Sequence, residues 1–378
     1  MMNYIALKDV CTINMGQSPE SSSYNEIGDG IPFFQGNADF GERYPITRVW
    51  CNKPTKVAKA EDILISVRAP IGAMNYAKEK CCIGRGVAAL TPNEEKVSSE
   101  FIFWLLKGKN NELNQKGTGS TFKAIGRKVL EEIQVPEINL ELQRKYASNL
   151  ERIYSIIQDR QRQLEQLDKL VRARFVEMFG DENNSKNWNV VNVEDVADVQ
   201  VGVVIKPSQY YTDESEGVRA FRSLNIGAGF IKDIDWVYFT KEGHLKNSKS
   251  TLKENDLLIV RSGAPGTACV VTEEYAGCNA VDIIIAHPDC EKVNPYYLCT
   301  FTNMPHGKKQ IDEGIGGAAQ QHFNVGKYNK LQLMLPPKTL QDEFGDFINQ
   351  VDKSKDSVKK ALDEAQLLFD SLMQQYFG

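Results

Sequence analysis

Two glycine-rich stretches of this sequence combine a flexible backbone with side chains that suit ligand binding. The first, Lys116-Gly-Thr-Gly-Ser-Thr-Phe-Lys123, carries hydroxyl groups and two lysines, and Arg127 follows shortly after it. Backbone N–H groups, hydroxyls and basic side chains are the groups through which proteins contact phosphates. The candidate contacts in this stretch are Lys116, Thr118, Ser120, Lys123 and Arg127.

The second stretch, Gly316-Gly-Ala-Ala-Gln-Gln-His-Phe323, occupies the corresponding place later in the chain but presents amide and imidazole groups. Gln can pair bidentately with adenine, and Arg with guanine. Corresponding loops with different hydrogen-bonding groups would suit two readers of different base sequences. Taken alone, the two loops are more simply interpreted as solvated turns. The candidate contacts here are Gln320, Gln321, His322 and Lys327.

Further candidate contacts follow predicted strands. Arg68 and Arg261 leave corresponding strands just before glycine or proline turns, and a structural ion pair is an equally good interpretation of each. Arg85 is flanked by glycines, which allow a backbone to approach a ligand closely. Polar residues also follow an aromatic strand in each half of the chain. These candidate contacts to phosphates or bases are Gln35, Asn37, Arg68, Arg85, Arg222, Asn225, Arg261 and Ser262.

The sequence carries no recognisable catalytic motif. It has no Walker-type phosphate loop, no serine nucleophile elbow and no HExxH zinc motif. All four histidines lie in the second half, so a catalytic histidine would have no counterpart in the first half. The formal net charge of −5 gives no overall basic footprint. Nucleic-acid binding would therefore depend on local patches or on a partner.

The cysteines and the N-terminal residues predict a cytoplasmic protein. The eight cysteines form no CxxC pair and no Cys/His cluster at zinc spacing, so we expect no metal site. Free and mostly buried thiols are typical of a reducing compartment. The first ten residues lack a signal-peptide pattern, and no apolar run reaches membrane-spanning length.

Two long proline-free helical stretches must position the loops. Residues 138–180 and 338–378 are rich in residues that favour helix, and their apolar side chains follow the 3-4 spacing of a coiled coil. At ~1.5 Å per residue, each stretch would span roughly 60 Å. Thr339 with Asp342 predicts a capping box at the start of the second stretch. The alternative interpretation is two unrelated amphipathic helices on separate cores.

The second helical stretch echoes the first. Leu142-Gln143 matches Leu340-Gln341, and Phe179-Gly180 matches Phe377-Gly378, each at a separation of 198 positions. Weaker matches at similar separations continue through the regions that precede the helices. The chain therefore contains two copies of one unit, a globular part followed by a long helix, and we expect internal pseudo-twofold symmetry.

The regions before the helices, residues 1–137 and 181–337, are predicted to mix short strands and helices. Ile63-Leu-Ile65 and Leu257-Leu-Ile259 are matching apolar strands. Ser98 and Asn294-Pro295 are predicted to begin a helix in each region. The predicted fold class is therefore α+β, with two globular domains separated by an antiparallel coiled coil of two long helices.

This layout resembles the specificity subunit of type I restriction-modification systems. In that family, globular parts alternate with long helices. Each helix comes after a strand that ends in proline, and a Leu-Gln pair such as Leu142-Gln143 lies near its start. The helix ends Met178-Phe-Gly180 and Tyr376-Phe-Gly378 also resemble those of the family. Ile65-Ser-Val-Arg-Ala-Pro-Ile-Gly72 and Gly117-Thr-Gly-Ser-Thr121 look like segments of the family's recognition domains. The resemblance covers essentially the whole chain and depends on the combination of features.

The resemblance implies a non-catalytic subunit that determines DNA sequence specificity. Residues 1–137 and 181–337 would each be a target-recognition domain that reads one part of a bipartite double-stranded DNA site. Residues 138–180 and 338–378 would pair antiparallel and set the gap between the two parts. The chain would hold no cofactor itself. It would join two adenine methyltransferase subunits, which use S-adenosylmethionine, and two ATP-dependent restriction subunits, and the residues named above would contact DNA.

Two other classes of function stay open at the level of sequence. The chain could be a scaffold whose coiled coil recruits partners without any DNA role, and salt-sensitive binding to duplex DNA would distinguish the two hypotheses. It could also be an enzyme with an unrecognised nuclease or methyltransferase site. Turnover by the isolated chain would support that third hypothesis, and the missing motifs argue against it.

Overall fold

A computed structural model describes residues 3–119, 123–315 and 323–378 of the chain. The chain forms two compact units. Unit 1 comprises Met1–Gln161 together with Lys360–Gly378, and unit 2 comprises Arg162–Lys359. Both unit boundaries fall inside long helices, so each unit takes one end of each of those helices.

Unit 1 is an α+β structure in which short strands form three sheets. The sheet orders are β1-β11, β2-β10-β7-β8 and β3-β5-β4-β9-β6. The elements are β1 (Tyr4–Ala6), β2 (Cys11–Met15), β3 (Tyr24–Asn25), β4 (Ile31–Phe34), β5 (Trp50–Cys51), β6 (Val57–Ala58), β7 (Ile63–Ser66), β8 (Met74–Tyr76), β9 (Cys81–Ile83), β10 (Val87–Pro92), α1 (Ser99–Gly108), α2 (Asn110–Gln115), α3 (Arg127–Glu131), β11 (Gln134–Pro136) and the start of α4 (Leu140–Phe179).

The core of unit 1 lies between its four-stranded sheet and α1. Strand β7 and the first four residues of β10 are fully buried, as expected for runs of apolar residues without polar alternation. Helix α1 begins where the sequence predicts, because the Ser98 hydroxyl accepts a hydrogen bond from the Phe101 N–H at 3.2 Å. Its inward face carries Phe101, Trp104 and Leu105, all at most 1% exposed. These side chains join Ile63 and other strand residues in one cluster.

Unit 2 repeats the same α+β plan. Its sheet orders are β12-β21, β13-β20-β17-β18 and β14-β16-β15-β19. The elements are β12 (Asn189–Asn192), β13 (Ala197–Val201), β14 (Tyr211–Thr212), β15 (Val218–Phe221), β16 (Val237–Phe239), α5 (Lys241–Lys246), β17 (Leu257–Val260), β18 (Ala268–Val270), β19 (Asn279–Ala280), β20 (Ile283–Pro288), α6 (Pro295–Asn303), α7 (Pro305–Ile315), α8 (Val325–Asn329), β21 (Gln332–Leu335) and α9 (Lys338–Phe377).

The repeat inferred from sequence is visible in the strand order of the two units. The sheet β2-β10-β7-β8 of unit 1 and the sheet β13-β20-β17-β18 of unit 2 match strand for strand. In each unit the strand that precedes the long helix pairs antiparallel with the first strand, as β11 with β1 and β21 with β12. Asn294 caps α6 by accepting the Tyr296 N–H at 2.9 Å, with Pro295 in the first turn as predicted.

Both predicted long helices are present, and within each unit their segments run side by side in opposite directions. In unit 1, the ring of Tyr146 stacks on that of Tyr376 at a centroid distance of 3.7 Å, and Tyr154 lies near Phe369. As residue numbers rise along α4, the numbers of their contacts on α9 fall. In unit 2, Asp168 and Lys355 form an ion pair of 2.7 Å, and Phe179 lies 5.4 Å from Phe344.

The repeated Leu-Gln pairs hold the beginnings of the long helices. The buried Gln143 amide accepts the Ser98 N–H at 2.9 Å and donates to the Ile138 carbonyl at 2.8 Å. In unit 2, Gln341 accepts the Asn294 N–H at 2.9 Å and donates to the Pro336 carbonyl at 2.8 Å. Each glutamine therefore joins the start of a long helix to the start of a short one.

The capping box predicted at Thr339 is wrong. Helix α9 begins at Lys338, so Thr339 lies inside the helix. The Asp342 carboxylate instead accepts hydrogen bonds from the Lys338 ammonium at 2.6 Å and from the Asn294 side-chain amide at 2.8 Å. The Pro337 carbonyl accepts the Leu340 N–H at 3.0 Å and the Gln341 N–H at 3.2 Å in the first turn of α9.

Candidate nucleic-acid interface

One edge of unit 1 collects most of the candidate residues of the first half. The chain leaves β7 through Val67 and Arg68, and the Val67 N–H donates to the Gly86 carbonyl at 2.9 Å. The Val67 carbonyl accepts the Ile125 N–H at 2.9 Å. Three segments that are far apart in sequence are thus joined by backbone hydrogen bonds at the end of β7.

Described residues from both ends of the first glycine-rich stretch lie beside Arg68. Arg68 and Ala124 form an isolated antiparallel bridge, as do Thr118 and Ala124. The Ala69 N–H donates to the Lys123 carbonyl at 3.0 Å. The structure therefore places Arg68, Thr118 and Lys123 next to one another. Ser120, another candidate of this loop, lies outside the described residues.

Gln35 and Arg85 join the same edge from the neighbouring sheet. The Gly84 N–H donates to the Phe34 carbonyl at 2.8 Å, which aligns the end of β9 with the end of β4. A Cβ atom on Gly86 would lie only 2.1 Å from the Gln35 carbonyl oxygen, so this close approach requires glycine. Arg85 is exposed beside this contact.

Asn37 starts a short 3-10 turn, Asn37–Asp39, and is half-buried. The residue that organises this turn is Asp39, whose carboxylate accepts the Gln35 N–H at 2.7 Å. Sequence analysis missed Asp39, although its position four residues after Gln35 is a spacing at which a carboxylate can cap a turn. The turn fixes the backbone direction at Gln35.

The basic residues of this edge differ in their ionic contacts. Lys116 pairs with Glu112 at 2.6 Å and Arg127 with Glu131 at 3.6 Å, both on exposed helix faces. Among the residues that the structure describes, no ion pair is recorded for Arg68, Arg85 or Lys123, and all three are exposed. Their charges are therefore available to an anionic ligand.

In unit 2, the candidate that follows the aromatic strand is tied to an acid. The Arg222 guanidinium contacts the backbone carbonyl of Asp235, and its Nη2 lies 2.9 Å from the Asp235 carboxylate. Arg222 is half-buried. This arrangement orients the guanidinium and partly neutralises it.

Asn225 holds the fold of unit 2 and does not reach its surface. The side chain is 0% exposed, its oxygen accepts the Arg222 N–H at 2.9 Å, and its nitrogen donates to the Ile234 carbonyl at 2.6 Å. This placement corrects the expectation that Asn225 contacts DNA. The position corresponds to that of Asp39 in unit 1, because both side chains cap the residue that follows the aromatic strand.

Arg261 does not occupy the position that corresponds to Arg68. The Phe323 N–H donates to the Arg261 carbonyl at 3.0 Å, just as the Ile125 N–H donates to that of Val67. Arg261 therefore matches Val67, and Ser262 matches Arg68. A shift of one residue at a strand end turns the side chain to the other face.

The Arg261 side chain is consequently drawn inward. Its Nη1 lies 2.5 Å from the Asp282 carboxylate, and its Nε donates to the Phe323 carbonyl at 3.3 Å. Asp282 has a left-handed backbone, with φ of 50°, and lies immediately before β20, which begins at Ile283. The structural ion pair considered for Arg261 is thus present, and the half-buried Ser262 lies at the place of Arg68.

The remaining candidates of the second half are placed only in part. Lys327 is exposed in the last turn of α8, whose first turn is capped by Asn324. Residues 316–322 of the second glycine-rich stretch lie outside the described residues, and these include Gln320, Gln321 and His322.

The described residues provide no group of three or more His, Cys, Asp or Glu side chains that could hold a metal ion. His287 lies between Asp256 at 2.6 Å and Gln200 at 2.7 Å, and His244 contacts Asn279 at 2.8 Å. Burial lowers the pKa of His306, whose ring packs against Phe301 at 4.4 Å. Each of these three histidines is therefore hydrogen-bonded to, or packed against, other side chains of the protein.

The fold and this edge define a protein of two recognition units, each a sheet-based domain joined to a long helix. The family model for the type I restriction modification DNA specificity domain matches residues 2–167 and 185–366. The chain belongs to this family, whose role is recognition of a DNA target. In the described part of the chain, no helix combines the length and the apolar character needed to cross a membrane.

Curated relatives carry the same description. A Methanocaldococcus jannaschii chain named as the candidate specificity subunit of the type I restriction enzyme MjaX is 48% identical over 157 residues, which are 42% of this chain. That alignment covers only 37% of the relative's own length. The type I restriction enzyme MjaIX specificity subunit of the same organism is 22% identical over 369 residues, covering 89% of this chain and 84% of the relative.

A solved structure is similar to this chain along its full length. The S subunit of a type I restriction-modification system from M. genitalium aligns with 100% of this chain and 96% of its own chain. The TM-score is 0.63 and the sequence identity is 15%, so the likeness concerns the fold alone. It agrees with the mixed helix and sheet content of both units.

Proposed function

We propose that this chain reads a bipartite DNA sequence, with one part of the target recognised by each unit. The observation that carries the proposal is the edge of unit 1, where Gln35, Arg85, Arg68, Thr118 and Lys123 come together from four separate segments. Amide, hydroxyl and guanidinium groups at the rim of a rigid sheet can contact base edges and phosphates.

Unit 2 reads the other part with different chemistry. Its corresponding edge carries Arg222 and Arg261, each held by an aspartate, together with Ser262 and Lys327. Orienting an arginine with a carboxylate favours one hydrogen-bonding geometry and thus one base. Unequal groups on equivalent edges are what two unequal half-sites require. The recognition domains are residues 1–137 and 181–337, and the proposed loop contacts Ser120, Gln320, Gln321 and His322 complete them.

The two long helices pair as an antiparallel coiled coil and set the gap between the half-sites. The stacking of Tyr146 on Tyr376 within unit 1 and the contact of Phe179 with Phe344 within unit 2 both support antiparallel pairing. Deletion of one heptad from residues 155–175 should change the gap, or break assembly, without changing which bases are read. A change of bases at constant gap would contradict this role.

The helices also dock the methyltransferase subunits. In unit 1, Leu367 and Leu368 of α9 are 74% and 51% exposed, which suits burial by a partner protein. The partners are two adenine methyltransferase subunits that bind S-adenosylmethionine and two ATP-dependent restriction subunits. This chain contributes no catalytic group and binds neither cofactor. Family membership and the names of the relatives support this assignment.

The test is a genome-wide map of methyladenine in cells that express this chain with its neighbouring methyltransferase. A methylated motif in two parts with a fixed gap, absent from cells without this chain, is the expected result. A matched variant with residues 181–337 replaced by another recognition domain should alter only one part of the motif. If a stable complex and an active methyltransferase gave the same methylation with and without this chain, a scaffold without DNA recognition would be the better description.

A further inference from the structure

Two consecutive apolar side chains of unit 2 face solvent without any role in its core. Val204 and Ile205 are 47% and 79% exposed and follow the end of β13. A single exposed apolar residue needs no explanation. Here two adjacent ones lie next to a proposed binding edge, and the segment that carries them is tightly held.

Both ends of this segment are fixed. The Val203 N–H donates to the Ala280 carbonyl at 2.8 Å, and the Val203 carbonyl accepts the Asp282 N–H at 3.1 Å. Beyond Ile205, Lys206 adopts a left-handed backbone with φ of 44°, and Pro207 begins a short 3-10 turn. Val204 and Ile205 are therefore presented by a pre-organised backbone, which reduces the entropy lost on binding.

The hydrogen bond from Asp282 places the apolar pair at the proposed DNA-reading edge. Asp282 is the residue that holds the Arg261 guanidinium. Val203 also forms a parallel bridge with Val281, immediately before Asp282. The apolar pair thus continues the same edge, and the exposed Lys206 lies beside it.

Unit 1 has different residues at the positions that correspond to Val204 and Ile205. Gly16 and Gly202 match, because their N–H groups donate to the carbonyls of Val87 and Ile283 respectively, both at 2.9 Å. The residues two and three positions after Gly16 are then Ser18 and Pro19. The Ser18 hydroxyl accepts the Arg85 N–H at 3.4 Å, and Pro19 is buried. The exposed apolar pair is therefore present in unit 2 and absent from the corresponding positions of unit 1. Such a difference is expected of residues that read only one of two half-sites.

We propose that Val204 and Ile205 contact the methyl group of a thymine in the half-site read by unit 2, with Lys206 on a nearby phosphate. This inference rests on the proposed function. The thymine methyl is the apolar group that base edges present in the major groove. Two side chains are too small a patch for a stable protein interface, which buries roughly 800 Å² on each partner. Continuity with Arg261 and Asp282 favours DNA as the occupant.

The experiment uses the complete complex with its methyltransferase and a duplex that carries its mapped target. Each thymine of the second half-site is replaced in turn by deoxyuridine, which removes only the methyl group. For one thymine, affinity should fall about fourfold, the effect of losing one buried methyl. Ile205→Ala should lower affinity for the thymine duplex by a similar factor and reduce the difference between the two duplexes, to which Val204 still contributes. Val190→Ala, a matched change at another exposed valine of unit 2, should bind as the unchanged chain does.

Several results would overturn the inference while leaving the proposed function intact. These are specific binding that no deoxyuridine weakens, a second half-site without A·T pairs, or a methyl effect of unchanged size in Ile205→Ala. Ile205→Thr, which keeps the branched shape, serves if the alanine variant melts at a lower temperature. Loss of methyltransferase association in the Ile205 variants without DNA would indicate a protein contact instead. A complex that binds no specific target would overturn the proposed function itself.

Discussion

Removal of the three exposed cations of unit 1 should change the salt dependence of DNA binding by a calculable amount. Arg68, Arg85 and Lys123 lie on one edge, and no ion pair is recorded for them among the described residues. Each phosphate neutralised by such a group contributes about −0.9 to the slope of log K against log salt concentration. The triple variant Arg68→Gln, Arg85→Gln, Lys123→Gln should therefore flatten that slope by up to about 2.7.

This difference is large enough to measure. Between roughly 50 and 200 mM salt, a slope change of about 2.7 alters the ratio of affinities about fortyfold. The assay is a salt titration of the full complex on a duplex that carries its mapped target. Lys128→Gln is the matched control, since this exposed lysine already pairs with Glu132 at 3.8 Å. In unit 2, Arg222→Gln should change the slope by less than the ~0.9 expected for one phosphate contact, because Asp235 partly neutralises Arg222.

Two outcomes separate phosphate contacts from base contacts. A residue that reads a base leaves the slope nearer to that of the unchanged chain and instead relaxes specificity at one position of the target. An unchanged slope together with unchanged specificity in a folded triple variant would refute the placement of this edge on DNA. An equal effect of Lys128→Gln would attribute the result to overall charge.

Three further predictions concern the packing of the units and the state of their thiols. Gln143→Ala should lower the free energy of unfolding of unit 1 by ~3 kcal/mol, measured by hydrogen exchange, because buried backbone groups lose their partners. Phe344→Ala should destabilise unit 2 by about 3–5 kcal/mol in urea titrations, since the fully buried ring packs against three other aromatic rings. The exposed Cys290 should alkylate at pH 8, whereas Cys299, whose pKa burial raises to about 12, should react only after unfolding. Mass spectrometry of the labelled peptides distinguishes the two thiols.

Local patterns predicted the elements that depend on short-range chemistry. The two long helices were expected from residue composition and 3-4 spacing, and they are observed at Leu140–Phe179 and Lys338–Phe377. The caps at Ser98 and Asn294 were expected because a side-chain oxygen can satisfy the first N–H groups of a helix. The repeat was visible in sequence as residue matches about 198 positions apart, and the two copies keep the strand order of one four-stranded sheet. The domain boundaries, by contrast, stay predictions.

The contacts that assemble the candidate site were beyond local patterns. Backbone bridges between Arg68 and Ala124, or between Gly86 and Val67, join positions whose proximity depends on the whole sheet. The partners of charged groups were equally hidden, because Asp282 lies 21 residues from Arg261 in sequence. The prediction that Asn225 contacts DNA was wrong for the same reason. The local sequence does not show whether an asparagine after a strand faces solvent or caps a buried turn.

Comparison of the two repeated units distinguishes residues that support the fold from residues that can differ between the units. Gln143 and Gln341 make the same two kinds of hydrogen bond in their own units, and a lost partner there would leave buried backbone groups unsatisfied. At the reading edge, exposed Arg68 in unit 1 is replaced by Ser262 in unit 2 without any change in strand order. Surface substitutions away from buried networks usually change stability by no more than about 0.5 kcal/mol. The edge can therefore acquire new base preferences while the sheet and the helix starts keep it in position.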